Sequence, residues 1–171
     1  RIRERGELVA DVPTRALADE APLYDRPTAR PAWQDEIQEI EASMFGQVPS
    51  PADAFRQLLV APNVASKRWI YEQYDYMVRT NTIAQAGASA GVVRVKGTSS
   101  ALAMSVDGNG RFVMLDPRQG ARLALAEASR NVACAGGLPL GATNCLNFGN
   151  PERPEIMWQF AEAVAGLGEA C

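Results

Sequence analysis

Proline density near the N-terminus most constrains what this chain can fold into. Between residues 13 and 32 proline recurs four times, and each proline removes a backbone donor and fixes φ, which disfavours helix and interior strand. These prolines are Pro13, Pro22, Pro27 and Pro31. Residues 7–12 before them read as one short strand. We therefore expect residues 1–32 to be the tail of a preceding domain and an extended linker, so that the core comes from later in the chain.

Helical signals dominate residues 33–76. Ile37 and Ile40 lie at helical spacing within residues 33–45, and Ser50 followed by Pro51 is typical of a helix start. We predict a helical linker segment over residues 33–76.

The pattern changes to strands and then to amphipathic helices after residue 77. Residues 92–95 and 101–106 are predicted strands, and the Asp-Gly-Asn-Gly run at residues 107–110 predicts a hairpin turn that leads into a strand over residues 111–115. Asp116-Pro117 predicts the start of a helix to about residue 135. A buried strand over residues 138–145 and a final helix from residue 155 complete the pattern.

These elements predict an α/β (α+β) domain over residues 77–171. We expect a mixed or antiparallel sheet with helices packed on one face.

Composition excludes several classes of function. The net charge is −3, with 17 basic and 20 acidic residues, so a basic nucleic-acid-binding surface is not expected. No apolar run approaches the roughly 20 residues that span a bilayer. The three cysteines, without any histidine, do not suggest a zinc site, and we expect them to be buried free thiols in a reducing cytoplasm. The lack of histidine favours either a binding module or a fragment whose catalytic groups lie elsewhere.

Three polar features are candidates for a nucleotide and magnesium site. Glu127 and Asn131 are four residues apart on one face of the predicted helix. Lys96 and Gly97 open the run Lys-Gly-Thr-Ser-Ser after a strand, where a cation and backbone amides can bind phosphate. Asn144 lies in an Asn-rich stretch at the end of the predicted strand over residues 138–145. A solvated helix face and ordinary turn chemistry explain the same residues without any ligand.

Longer stretches resemble a known family. Two runs resemble the second half of the synthetase subunit of phosphoribosylformylglycinamidine synthase. They are LDPRQGARLALAEASRNVACAGGLPLGATNCLNFGNPERPEIMWQFAEAVAGLGEAC, from Leu115 to Cys171, and VVRVKGTSSALAMSVDGNGRFV before it. The N-terminal run ELVADVPTRALADEAPLYDRP resembles the end of the first half and its linker. That family belongs to the aminoimidazole ribonucleotide synthetase superfamily. The resemblance implies the N-terminal α/β domain of the second half from about residue 78, preceded by the end of the first half and its linker.

The resemblance also implies an activity. The family converts formylglycinamide ribonucleotide and ammonia from glutamine to formylglycinamidine ribonucleotide, and it consumes ATP in doing so. This reaction is a step of de novo purine biosynthesis in the cytoplasm. It implies ATP and Mg²⁺ as cofactors. The implied partners are the remainder of the synthetase subunit, the glutaminase subunit and a small accessory subunit, with no nucleic acid and no membrane.

Site residues carry over one by one. Glu127 and Asn131 match metal-binding positions of an auxiliary nucleotide site, and Asn144 matches a position where many members have an aspartate that contacts ATP. The catalytic histidines belong to the first half of the family's chain, so no catalytic residue is assigned here. A glycine-rich GGNxS motif is expected beyond Cys171. We therefore expect an internal fragment that has no synthase activity alone; a non-catalytic interaction module whose sheet pairs with a partner domain is the alternative.

Overall fold

The N-terminal residues form a small hairpin and one short helix. The computed structural model describes the backbone of residues 1–171 and every side chain except that of Val78. Strand β1 (Ile2–Glu4) pairs antiparallel with β2 (Glu7–Ala10), and helix α1 (Thr14–Leu17) follows Pro13. The strand predicted over residues 7–12 is confirmed in its first four residues. None of the residues of β1, β2 or α1 is buried.

Short helices fill the stretch between the hairpin and the sheet. Their order is α2 (Trp33–Glu36), 3₁₀ turns at Ile37–Glu39 and Ala42–Phe45, α3 (Pro51–Val60), α4 (Arg68–Tyr71) and a 3₁₀ turn at Val78–Thr80. The side chain of Ser50 accepts a hydrogen bond from the Asp53 amide with Pro51 at the first position, which confirms the predicted helix start. The single helix expected over residues 33–45 is instead broken into α2 and two 3₁₀ turns.

A three-stranded antiparallel sheet carries the second part of the chain. Strand β4 (Gly91–Arg94) lies between β3 (Thr82–Ala84) and β5 (Ala101–Met104). Strands β4 and β5 form a hairpin in which Arg94 is paired with Ala101. The antiparallel sheet with its accompanying helices confirms the α/β (α+β) class.

Three helices follow the sheet. They are α5 (Gly110–Leu115), α6 (Pro117–Cys134) and α7 (Pro154–Ala170). Asp116 caps α6 through a 2.9 Å hydrogen bond from the Gln119 amide, as the Asp-Pro pair predicts. Among the described residues, no helix has both the length and the apolarity to span a membrane.

Small residues bring these elements into close contact. A Cβ added at Gly166 of α7 would lie 2.2 Å from the carbonyl oxygen of Arg118 in α6, so the two backbones touch there. Ala163 of α7 is fully buried beside this contact. Gly137, just after α6, lies between Ala103 of β5 and Val132 of α6, with an added Cβ 2.8 and 2.9 Å from their side chains. Glycine at these positions sets how closely α6 approaches both the sheet and α7.

Two predictions about the sheet are wrong. Residues 111–115 are helical rather than a hairpin strand, because Asn109 caps α5 by accepting a 3.0 Å hydrogen bond from the Arg111 amide. Residues 138–145 form irregular chain without a neighbouring strand, and Leu138 and Leu140 are 78% and 89% exposed. The expectation of buried thiols is also wrong, since all three cysteines are exposed.

The described residues bury little apolar surface. Apart from prolines and glycines, only four apolar residues are buried, and the accessible surface is 13748 Å². A folded monomer of 18.4 kDa is expected to expose about 8,200 Å². The four buried apolar residues are Ala90, Val92, Ala121 and Ala163. Much apolar surface is therefore open to contact with other protein.

Candidate functional site

Helix α6 presents two of the predicted site residues on one face. Glu127 and Asn131 are four residues apart within a continuous helix, so their side chains project from neighbouring positions. Glu127 is exposed and Asn131 is half-buried. The pair can offer one carboxylate and one amide oxygen to a ligand on this face.

Asp107 joins this face from the sheet. It follows β5, and its Oδ1 accepts a 2.8 Å hydrogen bond from Nδ2 of Asn131. The hydroxyl of Ser105 donates to the other carboxylate oxygen of Asp107. Because Nδ2 of Asn131 donates to Asp107, its Oδ1 is left as the acceptor of that amide. Sequence reasoning missed Asp107 by assigning it to a hairpin turn.

Glu127 lines a cleft between α5 and α6. The cleft has a volume of about 220 Å³. Arg130 lies in the same wall, so a cation and a carboxylate face the cleft together. Its lining residues are Asn109, Phe112, Gly120, Leu123, Ala124, Glu127 and Arg130.

Lys96 and Gly97 lie elsewhere. They occupy the turn between β4 and β5, where Gly97 has φ of 82° and the amine of Lys96 donates a 2.6 Å hydrogen bond to the carbonyl of Arg79. This turn precedes β5 whereas Asp107 follows it, so the length of the strand separates the turn from the Asp107–Asn131 pair. The structure does not bring the two groups together.

Asn144 lies in the long loop between α6 and α7. Its side chain is exposed, and among the described side chains no hydrogen bond connects it with Glu127 or Asn131. The loop is held at its far end, where the Phe148 ring meets the Phe160 ring edge-on at 5.6 Å. The loop is thus attached to α7 near Phe148, four residues beyond Asn144.

Charge is concentrated at the start of α6, away from Glu127. Arg118 donates a 2.9 Å hydrogen bond to Glu169 of α7 and lies 3.4 Å from the carboxylate of Glu162. The hydrogen bond with Arg118 lowers the pKa of the Glu169 carboxyl below its ordinary value, and it raises the pKa of the Arg118 guanidinium. These ion pairs hold the start of α6 against the end of α7.

The donor set around Asn131 consists of oxygens. One carboxylate, of Glu127, and one amide oxygen, of Asn131, are ligand types that suit Mg²⁺, which prefers oxygen ligands and keeps several waters, so that few protein ligands are needed. Within the described part of the chain, no three His, Cys, Asp or Glu side chains are grouped to hold a metal ion. Glu127 and Asn131 therefore offer oxygen donors of the kind that a partly hydrated Mg²⁺ accepts, whereas both carboxylate oxygens of Asp107 already accept hydrogen bonds from Asn131 and Ser105.

Comparison with known proteins identifies related sequences. Residues 87–171 match the family model "AIR synthase related protein, N-terminal domain". Over 174 aligned residues, the whole chain is 54% identical to "Phosphoribosylformylglycinamidine synthase subunit PurL" of Moorella thermoacetica. The chain spans 23% of the length of that relative.

Proposed function

Because the chain belongs to the AIR synthase related proteins, whose N-terminal domain its residues 87–171 match, we propose that it is part of a phosphoribosylformylglycinamidine synthase. The complete enzyme would be an ATP-dependent ligase of purine synthesis. Its reaction would convert formylglycinamide ribonucleotide and glutamine-derived ammonia to formylglycinamidine ribonucleotide, with ATP phosphorylating the amide oxygen and ammonia displacing the phosphate. The observation that carries this proposal is the 54% identity over the full chain to a protein of that name.

The proposed role of this segment is to hold a magnesium–nucleotide complex on α6. Glu127 would supply a carboxylate oxygen and Asn131 its Oδ1, while Asp107 keeps the amide of Asn131 turned so that Oδ1 stays available. When bound, Mg²⁺ would offset the negative charge of the phosphates. Arg130, in the wall beside Glu127, is suited to meet a phosphate oxygen.

The structure gives less support for ligand binding by Lys96, Gly97 and Asn144 than by Glu127 and Asn131. Lys96 already donates to the carbonyl of Arg79, so phosphate binding would require it to exchange that bond. Asn144 is exposed in the loop between α6 and α7, and among the described side chains no hydrogen bond connects it with Glu127 or Asn131. We propose Glu127 and Asn131 as the metal ligands, and we keep Lys96, Gly97 and Asn144 as proposed nucleotide contacts.

The partners and location follow from the same proposal. The remainder of a synthetase subunit would cover the exposed apolar surface, and a glutaminase subunit and a small accessory subunit would complete a cytoplasmic complex. The 13748 Å² of accessible surface supports such a covering partner. We expect this chain alone to form no product, because it contains no histidine to serve as general base.

Calorimetric titration with Mg–ATP tests the proposed role directly. We expect saturable binding by the chain and at least a five-fold weaker affinity after Glu127→Gln, which removes the ligand charge and keeps the side-chain volume. Glu41→Gln is the matched control, because Glu41 is also exposed but lies outside α6. Equal affinity in wild type and Glu127→Gln would exclude the magnesium role of Glu127.

A non-catalytic interaction module is the second candidate function. The large exposed apolar surface favours it, since such a surface is typical of a protein-binding face. The same titration separates the two candidates: an interaction module binds no Mg–ATP, either alone or mixed with the remainder of the subunit. Nucleotide binding under either condition favours the ligase segment.

A further inference from the structure

A proline-bearing segment far upstream docks on the helices of the candidate site. Residues 26–38, here called the strap, cross the start of α7. The amide of Ala29 donates a 3.1 Å hydrogen bond to the carbonyl of Pro154. The guanidinium of Arg30 lies 5.5 Å from the centre of the Trp158 ring, and Arg26 is 3.8 Å from the carboxylate of Glu152. Three separate interactions therefore connect the strap to α7 and the loop before it.

The strap also holds the corner between α5 and α6. Gln34 is only 2% exposed, and its Nε2 donates to the carbonyl oxygen of Leu115. Nε2 of Gln38 donates to the same oxygen at 2.5 Å. Leu115 is the last residue of α5, so its carbonyl has no hydrogen-bond donor further along that helix. The next residue, Asp116, is the N-cap of α6. Two amides of the strap thus converge on the atom where one helix ends and the next begins.

This corner sets the width of the cleft that contains Glu127. Phe112 of α5 forms one wall of the cleft, and Leu123 and Glu127 of α6 form the other. A change in the angle between α5 and α6 would therefore move Phe112 relative to Glu127. We propose that the strap is a positioning element for the candidate nucleotide site, acting through Gln34 and the Leu115 carbonyl; this rests on the proposed function of that site.

The chemistry of Gln34 argues for a positioning role over simple burial. Its Oε1 is buried and has no hydrogen-bond partner among the described residues. An apolar side chain of the same size would avoid this unpaired acceptor, so for stability alone glutamine is a poor choice here. The amide is useful for the hydrogen bond that it donates to Leu115. Replacing Gln34 should consequently disturb the corner more than the global fold.

Gln34→Met in the full chain separates these effects, because methionine keeps the length and removes both the donor and the unpaired acceptor. We expect a urea midpoint close to that of wild type. Without nucleotide, hydrogen exchange at amides 112–120 should be at least three-fold faster, with amides 101–104 unchanged. With nucleotide, the Kd for Mg–ATP should rise three- to ten-fold.

Two further variants keep the test decisive if Gln34→Met does not fold. Gln38→Met removes the second, exposed donor to the same carbonyl, and it should accelerate exchange at the same amides by a smaller factor. Gln73→Met is the matched control, since Gln73, two residues after α4, donates a 2.7 Å hydrogen bond to the Trp69 carbonyl. This variant should change neither exchange at 112–120 nor affinity.

The outcomes distinguish this inference from the proposed function. Unchanged exchange at amides 112–120 in the variants would show that the strap does not stabilise the corner between α5 and α6. Faster exchange with an unaltered Kd for Mg–ATP would show that the strap does not position the nucleotide site. If wild type binds no Mg–ATP, either alone or mixed with the remainder of the subunit, the proposed function fails, and the positioning role, which rests on it, fails with it. The exchange comparison then still decides whether the strap holds the corner.

Discussion

Nδ2 of Asn131 donates a 2.8 Å hydrogen bond to Oδ1 of Asp107, across 24 residues of sequence. The bond connects helix α6 to the chain that leaves β5. It also orients the amide of Asn131, because an amide nitrogen that donates to a carboxylate leaves its oxygen as the only acceptor. The pair therefore joins the sheet to the helix and selects which atom of Asn131 a cation can meet.

Asn131→Leu should destabilise the fold by about 1–3 kcal/mol, because it leaves the half-buried carboxylate of Asp107 without this donor. Urea denaturation at neutral pH measures the loss. Asn147→Leu is the control: its amide donates to the Cys145 carbonyl within the same exposed loop, and we expect a change below about 0.5 kcal/mol. Equal effects of the two substitutions would show that the bond to Asp107 contributes no special stability.

Gly166→Ala should destabilise the contact between α6 and α7 by roughly 2 kcal/mol. The added methyl would lie 2.2 Å from the Arg118 carbonyl oxygen, which forces two backbones apart and outweighs the better helix propensity of alanine. Gly168→Ala in the same helix meets nothing within 4 Å, and it should stabilise by up to about 0.5 kcal/mol. Thermal denaturation followed by circular dichroism compares the two variants, and opposite signs are the expected result.

The ion pair of Arg118 with Glu169 should contribute stability that acid removes. Because the pKa of Glu169 is lower in the folded chain, its contribution is fully present above the ordinary glutamate value of 4.5 and is lost as the pH falls through the folded value. Glu169→Gln should therefore lower the urea midpoint at pH 7 and have little effect at pH 2.5. Added salt should reduce the difference at pH 7, since both side chains are partly exposed. A midpoint difference that persists at pH 2.5 would contradict this explanation.

Leu140→Ala should leave stability within about 0.5 kcal/mol of wild type, because the side chain is 89% exposed. Val92→Ala, at a buried position of the central strand, should cost about 2 kcal/mol through lost burial and the resulting cavity. A large loss of stability from Leu140→Ala would mean that the loop packs in a way that its exposure does not indicate.

Local signals predicted the long helices well. The start of α6 follows from Asp116 and Pro117 alone, because a cap requires only a side chain and the amide three residues on. The start of α3 at Ser50 is predicted for the same reason. The shared face of Glu127 and Asn131 needs only helical periodicity.

The sequence-based predictions were wrong where the same residues favour two different local structures. An Asn-Gly pair is favourable both in a tight turn and at a helix start, and Asn109 adopts the second role. Residues 138–145 look like a buried strand, but a strand needs a neighbour for its hydrogen bonds, and none lies beside them in the described residues. Asp107 was missed because its partner, Asn131, is distant in sequence; only the three-dimensional path after β5 brings the two side chains within hydrogen-bonding distance.

The docking of Arg30 and Gln34 changes where a shortened form of this protein should begin. Similarity to the family domain begins at residue 87, yet the end of α5 and the indole of Trp158 are covered by residues some fifty positions earlier. A shortened chain that starts at the similarity boundary would expose these surfaces to solvent. For expression and crystallisation, Arg26 is therefore a better first residue than residue 87. The segment that packs on α5 and α7 begins well before the boundary of sequence similarity.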